Sequence, residues 1–151
     1  MKRKILLIED EQLIREMYEI ALKEAGYLVD TADDGKEALH VLQLKEAAAY
    51  DLILLDILLP ELNGLSVLNE IKKNDCPIKN IPVILLTNLG MEGLVNEAMN
   101  LGAEQYLIKS NILPQNLVEE LNTFFTNREE WLSYPHLRAM VKLNALPANC
   151  I

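Results

Sequence analysis

The sequence predicts a doubly wound α/β domain from three observations. Five short apolar runs recur along the chain, stretches of helical periodicity separate them, and glycine or proline marks several of the helix ends. An apolar run without polar alternation fits a strand buried on both faces, and apolar residues three or four apart fit a helix with one face on a core. Strands that alternate with helices are parallel, because parallel neighbours need a crossover connection. Such crossovers are right-handed, which puts helices on both faces of one sheet.

The first strand is Ile5 to Ile8, and the helix after it carries Leu13, Met17, Ile20 and Ala21. The second strand is Leu28 to Ala32, followed by a helix on Ala38, Leu39 and Leu42, with Ala47-Ala48-Ala49 reading as a helix end. The third is Leu52 to Leu55, with a helix on Leu65, Leu68 and Ile71. The fourth is Pro82 to Leu86, with a helix on Leu94, Val95 and Ala98. The fifth is Gln105 to Ile108, and its helix carries Leu117, Val118, Leu121, Phe124 and Phe125. Gly26 and Gly102 fall just past the first and fourth helices, where a left-handed cap is wanted, and Pro114 stands where the fifth helix opens. After Phe125 the pattern changes to Thr126-Asn127-Arg128-Glu129-Glu130-Trp131 and then Pro135. The expected division is therefore a domain over 1–126 and a partly helical tail or linker over 127–151. Trp131, Leu132 and Tyr134 cover the domain, dock a partner or begin a linker, and the sequence does not choose between these.

A chain of 151 residues, half of them hydrophobic and a quarter charged, has the size and balance of one globular domain. Its net charge of -9 argues against a nucleic-acid footprint, which needs clustered Lys and Arg. The basic start Met1-Lys2-Arg3-Lys4 is followed by an apolar run cut off by Glu9-Asp10-Glu11, too short for an export signal, and no segment suits insertion into a bilayer. Cys76 and Cys150 form no CxxC and have no histidine nearby, so neither a disulfide framework nor a zinc site is expected, and a reducing cytoplasm fits best. His40 and His136 are isolated and read as surface or core-edge residues.

In doubly wound sheets, ligands gather beyond the carboxyl ends of the strands, at the point where strand order reverses. There stand Glu9 and Asp10 after the first strand, Asp56 after the third, Thr87 after the fourth and Lys109 after the fifth. Each alone reads as a polar residue meeting solvent, but the set converges on one edge. If the first and third strands are neighbours, as in the order 2-1-3-4-5, three carboxylates meet. Two like charges at 4 Å repel by roughly 4 kcal/mol at an effective dielectric of 20. A small hard cation with oxygen ligands offsets this, and Mg²⁺, which takes one or two carboxylates and keeps several waters, suits an open site. Lys109 adds a second positive charge. Metal and ammonium together suit a transferring phosphoryl group, with Asp56 as the nucleophile.

Glu9-Asp10, the segment Asp56-Ile57-Leu58-Leu59-Pro60-Glu61-Leu62-Asn63-Gly64, Thr87, and Tyr106 with Lys109 resemble the response regulator receiver family over Lys4 to about Phe125. The resemblance implies a flavodoxin-like fold and a partner, a sensor histidine kinase or histidine phosphotransfer protein, that donates a phosphoryl group to Asp56. It implies Mg²⁺ held by Asp10, Asp56 and the backbone carbonyl of Leu58, with Glu9 acting mostly through water, and phosphoryl oxygens held by Lys109. It also implies a switch. Thr87 moves to the new phosphoryl group, Tyr106 turns inward, and the fourth helix, fifth strand and fifth helix present an altered surface to a downstream protein or to a second copy in a homodimer. Pro60 and Gly64 correspond to the residues that shape the loop. No catalysis is implied beyond phosphotransfer to its own Asp and slow autodephosphorylation.

The chain departs from the family pattern where Ser110 replaces the usual proline after Lys109, so a cis bond there is not to be assumed. Asn88 is larger than the usual residue after Thr87, and Leu58 and Leu89 are both apolar, which points to a long-lived phosphorylated form because neither orients a water. Two readings compete: a phosphorylation-independent interaction domain on the same fold, and a haloacid-dehalogenase-type phosphohydrolase. The second needs another Asp where Leu58 stands. A nucleotide-binding domain is weaker, since neither a Walker loop nor GxGxxG follows any strand.

Overall fold

The computed structural model of the chain describes residues 2–44, 49–73 and 77–133. Strand and helix alternate as β1 Lys4–Ile8, α1 Gln12–Glu24, β2 Leu28–Ala32, α2 Gly35–Leu42, β3 Leu52–Asp56, α3 Gly64–Lys73, β4 Val83–Thr87, α4 Glu92–Leu101, β5 Gln105–Ile108 and α5 Pro114–Ser133. Short 3-10 turns occupy Pro77–Asn80 and Lys109–Asn111. The five strands form one sheet in the order β2-β1-β3-β4-β5, every neighbouring pair parallel. Chain order reverses at β1, so the crevice between the ends of β1 and β3 is the place for a ligand.

Side chains of successive strand residues point to opposite faces, and the apolar runs therefore supply two cores. Leu6, Ile8, Ile53, Leu55, Val83 and Leu85 pack with Ala38 and Leu42 of α2, Val67, Leu68 and Ile71 of α3, and Val95 and Ala98 of α4. Ile5, Leu7, Leu52, Leu54, Ile84 and Leu86 pack on the other face with Tyr18 and Leu22 of α1 and Leu117, Leu121 and Phe125 of α5. Full burial of a Leu or Ile side chain contributes about 1.5–3 kcal/mol, so the central strands anchor the sheet and leave their carboxyl ends free for polar residues.

Helix α1 differs from the sequence expectation. Leu13, Met17 and Ile20 are 77%, 49% and 58% exposed, while Tyr18 and Leu22 are buried with Ile14 packed beside them. The helix carries two apolar stripes at helical spacing, and the one with the aromatic ring faces the sheet. Four strand limits, on three strands, also move by one residue. Pro82 has no N–H to give the ladder, so β4 starts at Val83, although the Pro82 carbonyl still accepts from the Ile53 N–H at 2.9 Å. The ladder extends to Asp56 and Thr87, which pair in register with Leu86 and Ile108. The strand β1 begins at Lys4, whose N–H donates to the Asp51 carboxylate at 2.7 Å.

Gly26 and Gly102 have φ of 98° and 113°, the left-handed caps expected after α1 and α4. The helix α2 ends at Leu42, so Ala49 lies beyond it, and Ala47 and Ala48 lie outside the described residues, as do Cys76, Tyr134, Pro135, His136 and Cys150. The helix α5 continues without a break through Thr126 and Asn127 to Ser133. Arg128 pairs with Glu104 at 2.8 Å, Arg3 pairs with Glu129, and the Arg3 guanidinium lies 4.3 Å from the centre of the Phe125 ring. Among the described residues no helix is long and apolar enough to cross a membrane.

Candidate functional site

The ends of β1, β3 and β5 deliver the pieces of the site. Asp56 closes β3 and is 2% exposed, because the ladder runs to it and the sheet has helices on both sides. Its Oδ1 accepts the Leu58 N–H at 3.0 Å and its Oδ2 accepts Lys109 Nζ at 3.0 Å. Glu9, just past β1, is fully buried. It accepts Lys109 Nζ at 3.1 Å through Oε2 and the Glu11 N–H at 3.2 Å through Oε1. Asp10 is exposed, and the ligand oxygens of Glu9, Asp10 and Asp56 lie within 4.8 Å of one another. Lys109, at the end of β5, buries its side chain to 5% exposure and reaches across β4 to join the two buried carboxylates.

Burial and like charge dominate the electrostatics. Glu9 is pushed up to about 7, first by burial and then by the Asp56 charge, and Lys109 offsets only part of this. Burial also raises Asp56 above the ordinary carboxylate value, against the Lys109 charge and the hydrogen bonds from Lys109 and Leu58. Burial works to lower Lys109, yet the facing charges of Asp56 and Glu9 hold it above the usual lysine value. Lys109 thus pairs with Glu9 and Asp56, and more loosely with Glu11 at 3.9 Å, and no ammonium pairs with Asp10 among the described residues. The donor set is all oxygen, crowded and short of positive charge, which is the chemistry that a hard divalent cation such as Mg²⁺ satisfies, so the residues present fit that ion.

The loop after Asp56 is held by close approach. A Cβ on Gly64 would lie 2.3 Å from the Asp56 carbonyl oxygen and 2.7 Å from Ile57 Cα, both backbone atoms that cannot yield, so only glycine fits there. The Gly64 N–H donates to the Ile57 carbonyl at 2.9 Å, and Asn63 caps α3 by accepting the Ser66 N–H at 2.9 Å. Pro60 is exposed at the outer bend, where its carbonyl accepts the Leu62 N–H at 2.7 Å. Glu61 beside it has a φ of 61°, a conformation that side chains rarely adopt.

Glu9, Asp10, Asp56 and Lys109 meet, and Leu58 joins them through its backbone N–H. Thr87 is buried at the end of β4, but its hydroxyl donates to the Asn88 carbonyl at 3.2 Å and to neither acid. Tyr106 stands apart, 47% exposed on β5. Between it and Thr87 lies a cavity of about 170 Å³, lined also by Met91, Val95, Met99 and Ile108. Leu58 and Leu89 are 47% and 67% exposed. The Lys109–Ser110 bond is trans, as are all the peptide bonds among the described residues.

Two residues of this edge escaped the sequence reading. Arg15, on the second turn of α1, donates from one nitrogen to the carbonyls of Glu9 at 2.9 Å and Asp10 at 3.2 Å. Gly35, at the start of α2, would place a Cβ 2.4 Å from the Leu62 carbonyl oxygen, so α2 backs directly onto the Asp56 loop. The available signal for Arg15 was its place, one helical turn beyond the acidic pair. Gly35 carried none, because its constraint comes from a loop distant in sequence.

The sequence model of the response regulator receiver domain matches residues 5–122. The chain is 33% identical over 147 residues to the probable transcriptional regulator ycf27 of Guillardia theta, an alignment that covers 96% of this chain and 55% of that protein. It is 39% identical over 106 residues to the transcriptional regulatory protein CusR of Escherichia coli, covering 70% of this chain and 44% of that protein. The chain thus spans about half the length of the curated relatives it matches. Among solved structures, chemotaxis protein CheY4 of Vibrio cholerae superposes with a TM-score of 0.72 at 30% identity, over 82% of this chain and 98% of that one. A response regulator receiver domain protein of Clostridium thermocellum does so with a TM-score of 0.72 at 31% identity, over 84% and 97%.

Proposed function

This chain belongs to the response regulator receiver family, and we propose that it works as a phosphorylation switch in which Asp56 accepts a phosphoryl group from a phosphohistidine. The donor is a sensor histidine kinase or a histidine phosphotransfer protein. The observation that carries this reading is the Asp56 carboxylate itself. It is nearly buried, yet one oxygen is oriented by the Leu58 N–H and the other by Lys109, each at 3.0 Å.

In the transfer a carboxylate oxygen of Asp56 forms a bond to phosphorus as the phosphorus–nitrogen bond to the donor imidazole breaks, the bonding pair leaving with the imidazole. The product is an acyl phosphate. Lys109, already held above the usual lysine value by Asp56 and Glu9, stays protonated and faces the incoming phosphoryl oxygens. Asp10, Asp56 and the Leu58 carbonyl would hold Mg²⁺, with Glu9 acting mostly through water. The ion, when bound, supplies positive charge against the phosphoryl oxygens. Catalysis is confined to the chain's own Asp56, both in gaining the group and in its slow loss.

Thr87 and Tyr106 relay the change. The Thr87 hydroxyl spends its hydrogen bond on the adjacent Asn88 carbonyl, a contact readily exchanged for a phosphoryl oxygen. The cavity beside it gives the Tyr106 ring space to turn inward. The equilibrium shifts only by as much as the phosphoryl group interacts differently with the two arrangements. The altered surface of α4, β5 and α5 then meets a downstream protein or a second copy of the chain. We assign this activity to residues 1–126, treat 127–151, which begins as the last turns of α5, as a tail or linker, and place the chain in the cytoplasm with no direct nucleic-acid contact of its own.

The test is phosphotransfer from a labelled phosphohistidine protein in Mg²⁺. Label is expected on the native chain, none on Asp56→Asn and slow uptake on Lys109→Ala. Equal labelling of Asp56→Asn would place the chemistry elsewhere.

A further inference from the structure

The three clustered carboxylates are not anchored alike. Glu9 is held through its side chain by Lys109 and the Glu11 N–H, and Asp56 by Lys109 and the Leu58 N–H. The Asp10 carboxylate is exposed and accepts no hydrogen bond among the described residues, although it shares the cluster with two other acids that repel it. Free to turn, it would move toward solvent. What restrains it is the backbone. The Glu9 N–H is fixed on the Ala32 carbonyl at 3.1 Å, and one nitrogen of Arg15 reaches back from α1 to the carbonyls of Glu9 and Asp10 at 2.9 and 3.2 Å. With both carbonyls turned to the α1 side, the Asp10 carboxylate lies beside those of Glu9 and Asp56 at the crevice between β1 and β3.

We propose that Arg15 is a positioning residue for the cation site, acting through Asp10. The inference rests on the reading of this cluster as the Mg²⁺ site. It separates from a simple charge effect by sign. An arginine near the cluster, acting only as a positive charge, repels Mg²⁺, so its removal would tighten binding. Acting as an anchor, its removal weakens binding, and loss of a group that orients a metal ligand typically costs about 10–100-fold in affinity. A purely structural role differs again, because it would weaken binding whether or not residue 10 carries a charge.

The experiment is calorimetric titration of the purified chain with Mg²⁺ alone, in wild type, Arg15→Met, Arg15→Lys, Asp10→Asn and the Arg15→Met/Asp10→Asn double variant. Circular dichroism without metal monitors the fold. The Met variant keeps the aliphatic stem and loses the donors, and Arg15→Gln replaces it in the comparison if it does not fold. The expected result is about a tenfold weaker dissociation constant for Arg15→Met, partial recovery in Arg15→Lys, and little further loss when Arg15→Met is added to Asp10→Asn. Unchanged or tighter binding in Arg15→Met overturns the proposal, and so does an equal loss in the Asp10→Asn background. If the wild type itself binds no Mg²⁺, the reading of the cluster fails and takes this proposal with it. Normal wild-type binding with an indifferent Arg15 removes the proposal alone.

Discussion

Replacing Lys109 by Met removes the one ammonium that lies between two buried carboxylates, at 3.0 Å from Asp56 and 3.1 Å from Glu9. Each contact is worth about 5 kcal/mol of gross attraction at an effective dielectric near 20, set against the cost of taking three charges out of water. Breaking a buried pair by deleting one partner typically costs about 3–5 kcal/mol, but here the protein has an escape, since the acids can keep their protons. The loss should therefore depend on pH. A carboxyl whose native-state value is raised binds its proton in the folded chain after the unfolded chain has lost it, so folding stability falls as pH rises through that window. The wild type already does this for Glu9, pushed up to about 7. Without Lys109, Glu9 and Asp56, both already raised, rise further. Each extra retained proton costs about 1.4 kcal/mol per pH unit, so the deficit of the variant relative to the wild type widens between about pH 5 and pH 8. Denaturant unfolding of the metal-free proteins at the two pH values measures it. A deficit of the same size at both would refute the electrostatic reasoning.

Mg²⁺ competes with the Glu9 proton, so its affinity should rise several-fold as pH passes upward through about 7, with proton release visible in calorimetry across buffers of different ionisation enthalpy. A flat profile would show that Glu9 does not sense the ion. Gly64→Ala should destabilise the fold by about 1–3 kcal/mol or more, since its Cβ meets backbone atoms of Asp56 and Ile57, and unchanged stability in denaturant would contradict that packing. Leu58→Asn with Leu89→Glu places water-orienting groups on two exposed positions, in the loops that follow β3 and β4, and should speed loss of the phosphoryl group about tenfold, read by the decay of labelled protein. An unaltered decay would leave the two leucines without a role in the lifetime.

Much of the fold was legible because the strands are buried on both faces. Runs such as Leu52 to Leu55 admit no polar residue until the ladder ends, and the first polar groups after them, Glu9, Asp56 and Lys109, are therefore the ones that meet at the sheet edge. What stayed hidden depends on contacts between distant segments. Leu13, Met17 and Ile20 repeat as well as Ile14, Tyr18 and Leu22, and periodicity alone has no means of choosing the stripe that faces the sheet. Gly35 matters only because Leu62 passes within contact of it. Arg15 acts through backbone carbonyls, which carry no trace in the residue types. The separation of Tyr106 from Thr87, with a cavity between, likewise depends on how α4 packs beside β5.

The most direct measurement is intact mass after incubation with a small acyl phosphate donor and Mg²⁺, for the native chain beside Asp56→Asn. One phosphoryl group added to the native chain and none to the variant is the expected result. No adduct on the native chain, from the small donor or from a phosphorylated histidine kinase, would contradict the role given to Asp56 and favour a receiver fold that acts without phosphorylation.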